Sequence, residues 1–191
     1  MTTAMKHAGD YAASVIWTGN LGEGTASYTA YGRDFTVVVP GKPELYGSAD
    51  AAYRGSSDRH NPEELFLASL AACQMLFYLS LCGQHGIRVL SYESRAAGGL
   101  TPLENGGGRF EGIALTPVVT VAGGTDTELA IRLHDRAHER CFIANSCSVP
   151  IRRRLVVRTE VPESGSASMP APVSDVASTA TGHGPERAGE S

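Results

Sequence analysis

The hydrophobic pattern of the chain consists of several short runs of alternating residues and one long apolar run. Three short runs, 12–17, 25–39 and 45–53, contain β-branched and aromatic residues and therefore predict three strands. The long run, from Leu65 to Leu79, is apolar on nearly every side of a helical projection. This pattern predicts a helix that is buried on most of its surface.

The segment in front of the long run contains the signals that start a helix. Asn61 is a good N-cap residue, and Pro62 fits the first helical position. The two glutamates that follow suit the positive end of the helix dipole. We therefore expect the helix to begin after Asn61 and to end near Gly83 or Gly86.

Two further strands are predicted after this helix, over 89–96 and 109–121. The glycine-rich segment 106–108 between them is typical of a turn. Pro117 lies inside the second of these strands and cannot donate a backbone hydrogen bond. Its presence predicts that this strand lies at a sheet edge or contains a bulge.

A second helix and a last strand complete the pattern. Thr125 and Glu128 have capping-box spacing, so we expect the helix to start there and to run through Cys141 toward Asn145. The alternating segment 151–161 predicts the last strand. The order βββ-α-ββ-α-β indicates an α+β fold with antiparallel sheets around two core helices.

Composition narrows the possible functions. The chain has 191 residues and a formal net charge of −4, which argues against a nucleic-acid or membrane-surface partner. No apolar run approaches the ~18–20 residues of a membrane span. Residues 1–10 lack the apolar core of a secretory signal, so we expect a cytoplasmic protein.

The composition changes sharply after residue 161. Of the 30 residues in 162–191, 19 are Ser, Ala, Gly or Pro, and none is aromatic. Such a segment buries too little apolar surface to offset its ordering entropy, which predicts a disordered tail. We therefore divide the chain into an extension, 1–11, a folded domain, 12–161, and the tail.

Four cysteines in a chain of this kind indicate reduced thiols rather than a disulfide framework. Cys73 and Cys141 each lie on the apolar part of a predicted helix, and their thiols could face each other if the helices pack together. Two unreactive core thiols are the alternative interpretation. Cys82 and Cys147 are interpreted as bystanders, although Cys147 is close enough to Cys141 to serve as an alternative resolving thiol.

Two motifs resemble those of a known family. The segment 61–65, Asn-Pro-Glu-Glu-Leu, with Ala71-Ala72-Cys73, resembles the start of the central helix of the OsmC/Ohr family of thiol-dependent peroxidases. The segment 137–141, Ala-His-Glu-Arg-Cys, followed by Asn145-Ser146, is similar to that family's second cysteine motif. The resemblance covers about residues 12–161 and is greatest with the OsmC-type branch.

The resemblance implies a two-cysteine peroxidase that acts as a homodimer, with active sites at the subunit interface. Cys73 matches the peroxidatic cysteine and Cys141 the resolving cysteine. Glu63 matches the active-site glutamate. The family's second motif often has proline after its cysteine, where this chain has Phe142.

The matching arginine is less well fixed than the cysteines. Arg54 is the closest match to the arginine that precedes the Asn-Pro-Glu motif, but the alignment needs a shift of one residue. Arg33 and Arg59 are therefore kept as substitutes. An arginine suits this role because it stays charged and can stabilise a thiolate.

Helix geometry places a constraint on this site. Glu63 and Cys73 are ten positions apart on one predicted helix, which is ~15 Å along its axis. They cannot share a site within one subunit unless the helix breaks. We therefore expect Glu63, with Arg54, to reach Cys73 of a partner subunit.

The expected activity is reduction of hydroperoxides at Cys73, followed by a disulfide with Cys141 and its reduction by a thiol or dithiol. No cofactor or metal is expected. Four apolar residues of the first helix would suit an organic hydroperoxide, but they fit an ordinary core equally well: Leu65, Phe66, Leu70 and Phe77. The alternative function is a non-catalytic stress-response or ligand-binding dimer on the same fold.

Overall fold

The computed structural model describes residues 9–160. Ten main elements follow one another along the chain, with a short 3-10 helix, Ala51–Tyr53, before the first α-helix. They are β1 (Ser14–Trp17), β2 (Phe35–Val38), β3 (Leu45–Gly47), α1 (Pro62–Gln84), β4 (Val89–Pro102), β5 (Gly108–Ala122), α2 (Thr127–Arg140), α3 (Phe142–Asn145), β6 (Ile151–Arg153) and β7 (Val156–Glu160).

The strands form two separate sheets. β1, β2 and β3 form a small antiparallel sheet in that order. β4 and β5 form a long antiparallel pair, and β6 and β7 both lie parallel to β5 on its other side. The α+β fold class predicted from the sequence is confirmed, with the addition of these parallel pairings.

The core lies between the large sheet and the helices α1 and α2. One buried cluster joins Tyr78 and Leu81 of α1 to Leu133 of α2 and to Val119 of β5. A second cluster surrounds Cys141 near the other end of β5. Neither cluster includes a residue of the small sheet.

The predicted start of α1 is confirmed. The Asn61 side chain accepts a hydrogen bond from the Glu64 backbone N–H, and the Glu64 carboxylate accepts one from the Asn61 N–H. This reciprocal pair satisfies two backbone donors that a helix start leaves without partners. The helix ends at Gln84, between the two glycines, Gly83 and Gly86, near which its end was predicted.

The prediction that α1 is buried on most sides is wrong for the single chain. Leu76 is 61% exposed, and the exposed positions follow one another at helical spacing. By length and composition alone, α1 could cross a membrane, contrary to the expectation from its sequence. However, Leu70, Tyr78 and Leu81 are buried in the protein, as expected for a core helix.

The predicted strand 25–39 is largely wrong, because only Phe35–Val38 forms a strand. The Arg33 guanidinium donates to the carbonyl oxygens of Tyr28 and Tyr31, at 2.7 and 2.5 Å. It also lies over both aromatic rings. The aromatic residues that suggested a strand are therefore folded around one cation.

The predicted strand 45–53 ends early, at Gly47. Asp50 then caps the short 3-10 helix by accepting a hydrogen bond from the Ala52 N–H at 2.8 Å. A short side-chain oxygen that bonds its own backbone two residues later favours a turn over a strand.

Pro117 lies in the centre of the large sheet and not at its edge, and the bulges of the β4–β5 pair lie away from it, at 89–91 and 99–100 of β4. β6 pairs with 113–115 and β7 pairs with 118–122, so Pro117 faces the gap between these strands. The missing N–H therefore leaves no ladder bond unmade on that side. The same gap divides the predicted last strand, 151–161, into two.

The second helix begins one residue later than its capping box predicted. Asp126 is the N-cap, and its side chain accepts a hydrogen bond from Leu129 N–H at 2.9 Å. The helix also ends before the predicted position, because Cys141 adopts an extended conformation between α2 and α3.

The predicted division of the chain stays a prediction at both ends. Most of the extension, 1–11, and the predicted tail, 162–191, lie outside the described residues.

Candidate functional site

Two reduced cysteines from different helices meet in the second buried cluster. Cys73 comes from the middle of α1, and Cys141 lies at the junction of α2 and α3. Their side chains belong to the same cluster, and the Cys73 thiol contributes to the raised pKa of Cys141. The prediction that the two thiols face each other therefore holds, although Cys141 reaches that position from a break between helices.

The surroundings of the two thiols differ. Cys141 is fully buried, whereas Cys73 is only half-buried. Burial, and then contact with Cys73, raises the pKa of Cys141 to about 11, although the Ala144 N–H donates to its sulfur at 3.4 Å. Cys141 is therefore a neutral thiol at pH 7, and Cys73 is the sulfur that a small molecule can reach.

Aromatic and aliphatic side chains surround the cysteine pair. Phe66 stacks on Phe110 with ring centroids 5.6 Å apart, and Phe77 meets Phe142 edge to face at 5.0 Å. Leu70 is fully buried in the same cluster. Three of the four predicted apolar residues thus adjoin the thiols, while Leu65 belongs to neither core cluster.

Glu63 lies in the first turn of α1, away from the cysteine pair. It lines a cavity of about 340 Å³ together with Tyr53 and the tip of the β4–β5 hairpin, residues 100–102 and 106–108. α1 is continuous from Pro62 to Gln84, so Glu63 stays ~15 Å along the axis from the Cys73 of its own chain.

Arg54 is held in an unusual conformation close to the start of α1. Its backbone has φ 68°, the one positive value at a non-glycine position in the described part of the chain. Asp50 fixes this turn because its carbonyl accepts from the Gly55 N–H and its carboxylate accepts from the Asn61 amide at 3.4 Å. A side chain on Gly55 would overlap the Ala49 carbonyl.

The three candidate arginines differ in what already binds them. Arg59 forms an ion pair with Asp34 at 3.6 Å, and Arg33 is bound to two carbonyl oxygens. Arg54 is exposed and lies 5.9 Å from the Tyr28 ring, with no ion pair or hydrogen bond from its guanidinium to residues 9–160. Arg54 is thus the candidate with free donors, although it is not paired with Glu63 in the single chain.

The sequence of the chain matches a known protein family. A family model described as OsmC-like protein matches residues 55–154, which is 100 of the 191 residues. The chain belongs to the OsmC-like family. The matched region includes Glu63 and both cysteines of the pair. No curated protein matches the chain.

Solved structures of the OsmC-like fold resemble the chain over most of its length. An OsmC-like protein of unknown function from Vibrio cholerae is 27% identical, with a TM-score of 0.70 over 78% of this chain and 99% of that one. An organic hydroperoxide resistance protein from Elizabethkingia anophelis is 23% identical, with a TM-score of 0.58 over 80% and 99%. A similar protein from Legionella pneumophila is 18% identical, with a TM-score of 0.56 over 80% and 99%. The last two likenesses show the fold alone.

This OsmC-like chain also contains a buried polar group that sequence reasoning missed. Gln74 follows Cys73 directly, and its amide nitrogen lies 3.3 Å from Nε2 of His134 on α2. The Tyr92 hydroxyl lies 3.5 Å from the same nitrogen. The signal in the sequence was a glutamine with a long polar side chain inside the most apolar run of the chain.

The remaining candidate groups lie apart from the cysteine pair. Cys82 is buried beside Tyr78 in the first core cluster, and burial raises the pKa of its thiol. Cys147 lines a cavity of about 770 Å³ next to Phe66, and its thiol donates to the Ala144 carbonyl at 3.5 Å. Within residues 9–160, no three His, Cys, Asp or Glu side chains are grouped as a metal site.

The Arg54 turn generates a stability prediction. Arg54→Gly removes the penalty of a left-handed conformation and adds some entropy to the unfolded chain. We expect the free energy of unfolding to rise by about 0.5–1 kcal/mol, measured by urea denaturation. Arg54→Ala, which keeps the penalty, is the control. A glycine variant less stable than the alanine variant would contradict this account of the turn.

His134 generates a prediction about pH. Burial, followed by the charge of Arg153, lowers its pKa to about 4, while Asp135 acts in the opposite direction and His138 adds to the lowering. Between pH 6.5 and pH 4, the His134 side chain binds a proton in the unfolded chain but not in the folded chain. Stability should therefore fall by up to about 3 kcal/mol between pH 6.5 and 4.

The measurement is the unfolding free energy of the wild type and of His134→Leu at pH 7 and pH 4.5. The wild type should lose more stability than the variant as the pH falls. Parallel curves would show that His134 is not the group responsible.

Proposed function

We propose that this OsmC-like protein is a thiol-dependent hydroperoxide reductase of the two-cysteine type, acting as a homodimer. Cys73 is the peroxidatic cysteine and Cys141 is the resolving cysteine. The observation that supports this most directly is the contact between two reduced thiols from different helices, one accessible and one buried. A non-catalytic dimer has no need for this pair.

The cycle follows from the different surroundings of the thiols. The Cys73 thiolate attacks the terminal peroxide oxygen, the O–O bond breaks, and the alkoxide that leaves takes up a proton from solvent to become an alcohol. Cys73 is then a sulfenic acid. The Cys141 sulfur displaces the hydroxyl, which leaves as water, and a disulfide forms. An external dithiol reduces this disulfide and becomes oxidised itself.

The exposed face of α1 supports the homodimer. Ala68, Ala72, Leu76, Leu79 and Gly83 are all exposed and share one face of the helix. A stripe of small and apolar residues on a long helix is well suited to close packing against another helix. A second copy of α1 is the partner that we propose for this face.

The small sheet supports the same proposal. All four residues of β1 are exposed, including Val15, Ile16 and Trp17. A three-stranded sheet needs a packing surface to be stable, and neither core cluster of its own chain includes a residue from it. A partner subunit would supply that surface.

The active site then combines residues from two subunits. Glu63 cannot reach the Cys73 of its own chain because α1 is continuous, and Arg54 lies in the turn that precedes the same end of the helix. In a dimer the Arg54 guanidinium would approach the partner's Cys73 and favour its thiolate, and Glu63 would orient the guanidinium through a bidentate pair. In this arrangement the guanidinium donors of Arg54 would bind the Glu63 carboxylate and the partner's thiolate.

The substrate proposed for this site is an organic hydroperoxide. Phe66, Phe77 and Leu70 give the thiol pair an apolar border that suits a substrate with a hydrocarbon part. Two proteins of similar fold are described as organic hydroperoxide resistance proteins, which is consistent with this substrate. The cytoplasm is the proposed location, because the cycle requires thiols that are reduced after each turnover.

Substitution of the cysteines tests the chemistry. Cys73→Ser should abolish hydroperoxide consumption, measured with a dithiol reductant present. Cys141→Ser should complete the first oxidation and then accumulate the Cys73 sulfenic acid, detected by a sulfenic-acid-selective probe. Cys82→Ser is the matched control and should turn over normally. Peroxide consumption by Cys73→Ser at the wild-type rate would refute the proposed function.

Mixed dimers test whether the site is shared. Arg54→Ala and Cys73→Ser should each be inactive alone. After denaturation and refolding together in equal amounts, half of the dimers contain one chain of each kind, and each of these has one complete site. We expect about a quarter of the wild-type activity. A mixture as inactive as its components would place Arg54 in the same chain as the thiol it activates.

A further inference from the structure

A buried polar group joins the two cysteine-bearing helices next to the site. Gln74 and His134 are each 1% exposed. The Gln74 amide nitrogen lies 3.3 Å from Nε2 and 3.5 Å from Nδ1 of the His134 ring. Tyr92 of β4 approaches Nε2 from the sheet, and the Tyr78 ring meets His134 edge to face at 5.3 Å.

The positions of these residues relate directly to the cysteines. Gln74 is the neighbour of Cys73 on α1, so the two are 1.5 Å apart along the axis. His134 precedes Cys141 by seven residues, which is two turns of α2, or ~10 Å. Cys73 and Gln74, which are adjacent on α1, therefore face Cys141 and His134, which lie about two helical turns apart. Sliding or rotating α1 by one residue would break both contacts.

We propose that Gln74 and His134 are positioning residues that hold α1 and α2 in the register at which the sulfurs of Cys73 and Cys141 meet. The proposal rests on the proposed function and extends it to the second chemical step. Gln74 and His134 touch neither the peroxide nor the reacting sulfurs. They act through the placement of the helices.

The other contacts between the helices cannot supply this register by themselves. Leu81, Leu133, Ala130 and Ala137 contribute non-directional packing, which changes little when one helix shifts slightly. The Gln74 amide nitrogen lies close to both nitrogens of the His134 ring, so it approaches the ring from its face. A buried amide that loses its polar partner costs free energy, and burial of this pair excludes water as a substitute.

Register matters most for disulfide formation. The Cys141 sulfur must approach the Cys73 sulfenic sulfur, form the S–S bond and displace the hydroxyl as water. This requires Cα atoms about 4.4–6.8 Å apart and a defined torsion about the bond. The first oxidation of Cys73 by the peroxide makes no such demand on α2. Loss of register should therefore slow the second step selectively.

The test uses Gln74→Met, His134→Leu and the double variant, each treated as a full chain with one equivalent of hydroperoxide and no reductant. Sulfenic acid at Cys73 is followed with a selective probe, and the Cys73–Cys141 disulfide by mass spectrometry of alkylated peptides. We expect a normal rate of sulfenic acid formation and disulfide formation slower by about tenfold in all three variants.

The double variant separates positioning from stability. Removing one partner leaves a buried polar group unpaired and lowers the melting temperature, whereas removing both is nearly neutral. We therefore expect the double variant to regain stability but not the rate of disulfide formation. If it regains that rate as well, the pair is only structural and the proposal is wrong.

Two further variants keep the test decisive. Tyr92→Phe removes the hydroxyl that contacts His134 and leaves the rest of the core unchanged. It should slow disulfide formation by about twofold, and it tests the proposal if Gln74→Met or His134→Leu does not fold. Cys82→Ala weakens packing beside Tyr78 in the same core cluster but keeps both Gln74 and His134, and should form the disulfide normally. Equal slowing in Cys82→Ala would overturn the proposal. Failure of the wild type to oxidise Cys73 would instead refute the proposed function.

Discussion

The continuity of α1 is the constraint on which the proposed site depends. The helix runs unbroken from Pro62 to Gln84, so it separates Glu63 from the Cys73 of the same chain by ~15 Å. The two thiols lie in one cluster of the single chain, whereas Glu63 lies at the far end of the helix from them. The exposed stripe on the same helix and the small sheet outside both core clusters leave apolar surface for a second copy of the chain.

Burial divides the work between the two cysteines. Full burial keeps Cys141 neutral at pH 7, because a buried thiol resists ionisation. Cys73 is half-buried, which is the access that the proposed cycle requires of the sulfur that meets the peroxide. In the proposal above, the buried polar contact between Gln74 and His134 gives the two helices a fixed register. In this account, chemistry, access and alignment are each assigned to different residues of the same helix interface.

The sequence predicted well those features that depend on local spacing. The N-cap at Asn61, the extent of α1 and the order of strands and helices all follow from local sequence patterns, and the OsmC-like resemblance is confirmed. The errors arose where tertiary contacts override the pattern. Tyr28 and Tyr31 of a predicted strand pack against the Arg33 guanidinium instead of forming a sheet. Pro117 is tolerated at the sheet centre because β6 and β7 leave a gap opposite it. The break at Cys141 was invisible because the apolar spacing continues across it, and the roles of Cys73, Cys141, Glu63 and Arg54 stay predictions.

The most direct test of the account is to identify the bond that forms when the reduced protein meets one equivalent of an organic hydroperoxide. Differential alkylation of the thiols before and after oxidation, followed by peptide mass spectrometry, assigns every cysteine. The account predicts one disulfide, between Cys73 and Cys141, with Cys82 and Cys147 still reduced. Persistence of free thiols at both Cys73 and Cys141 after the peroxide has been consumed, or a disulfide that omits Cys73, would contradict it.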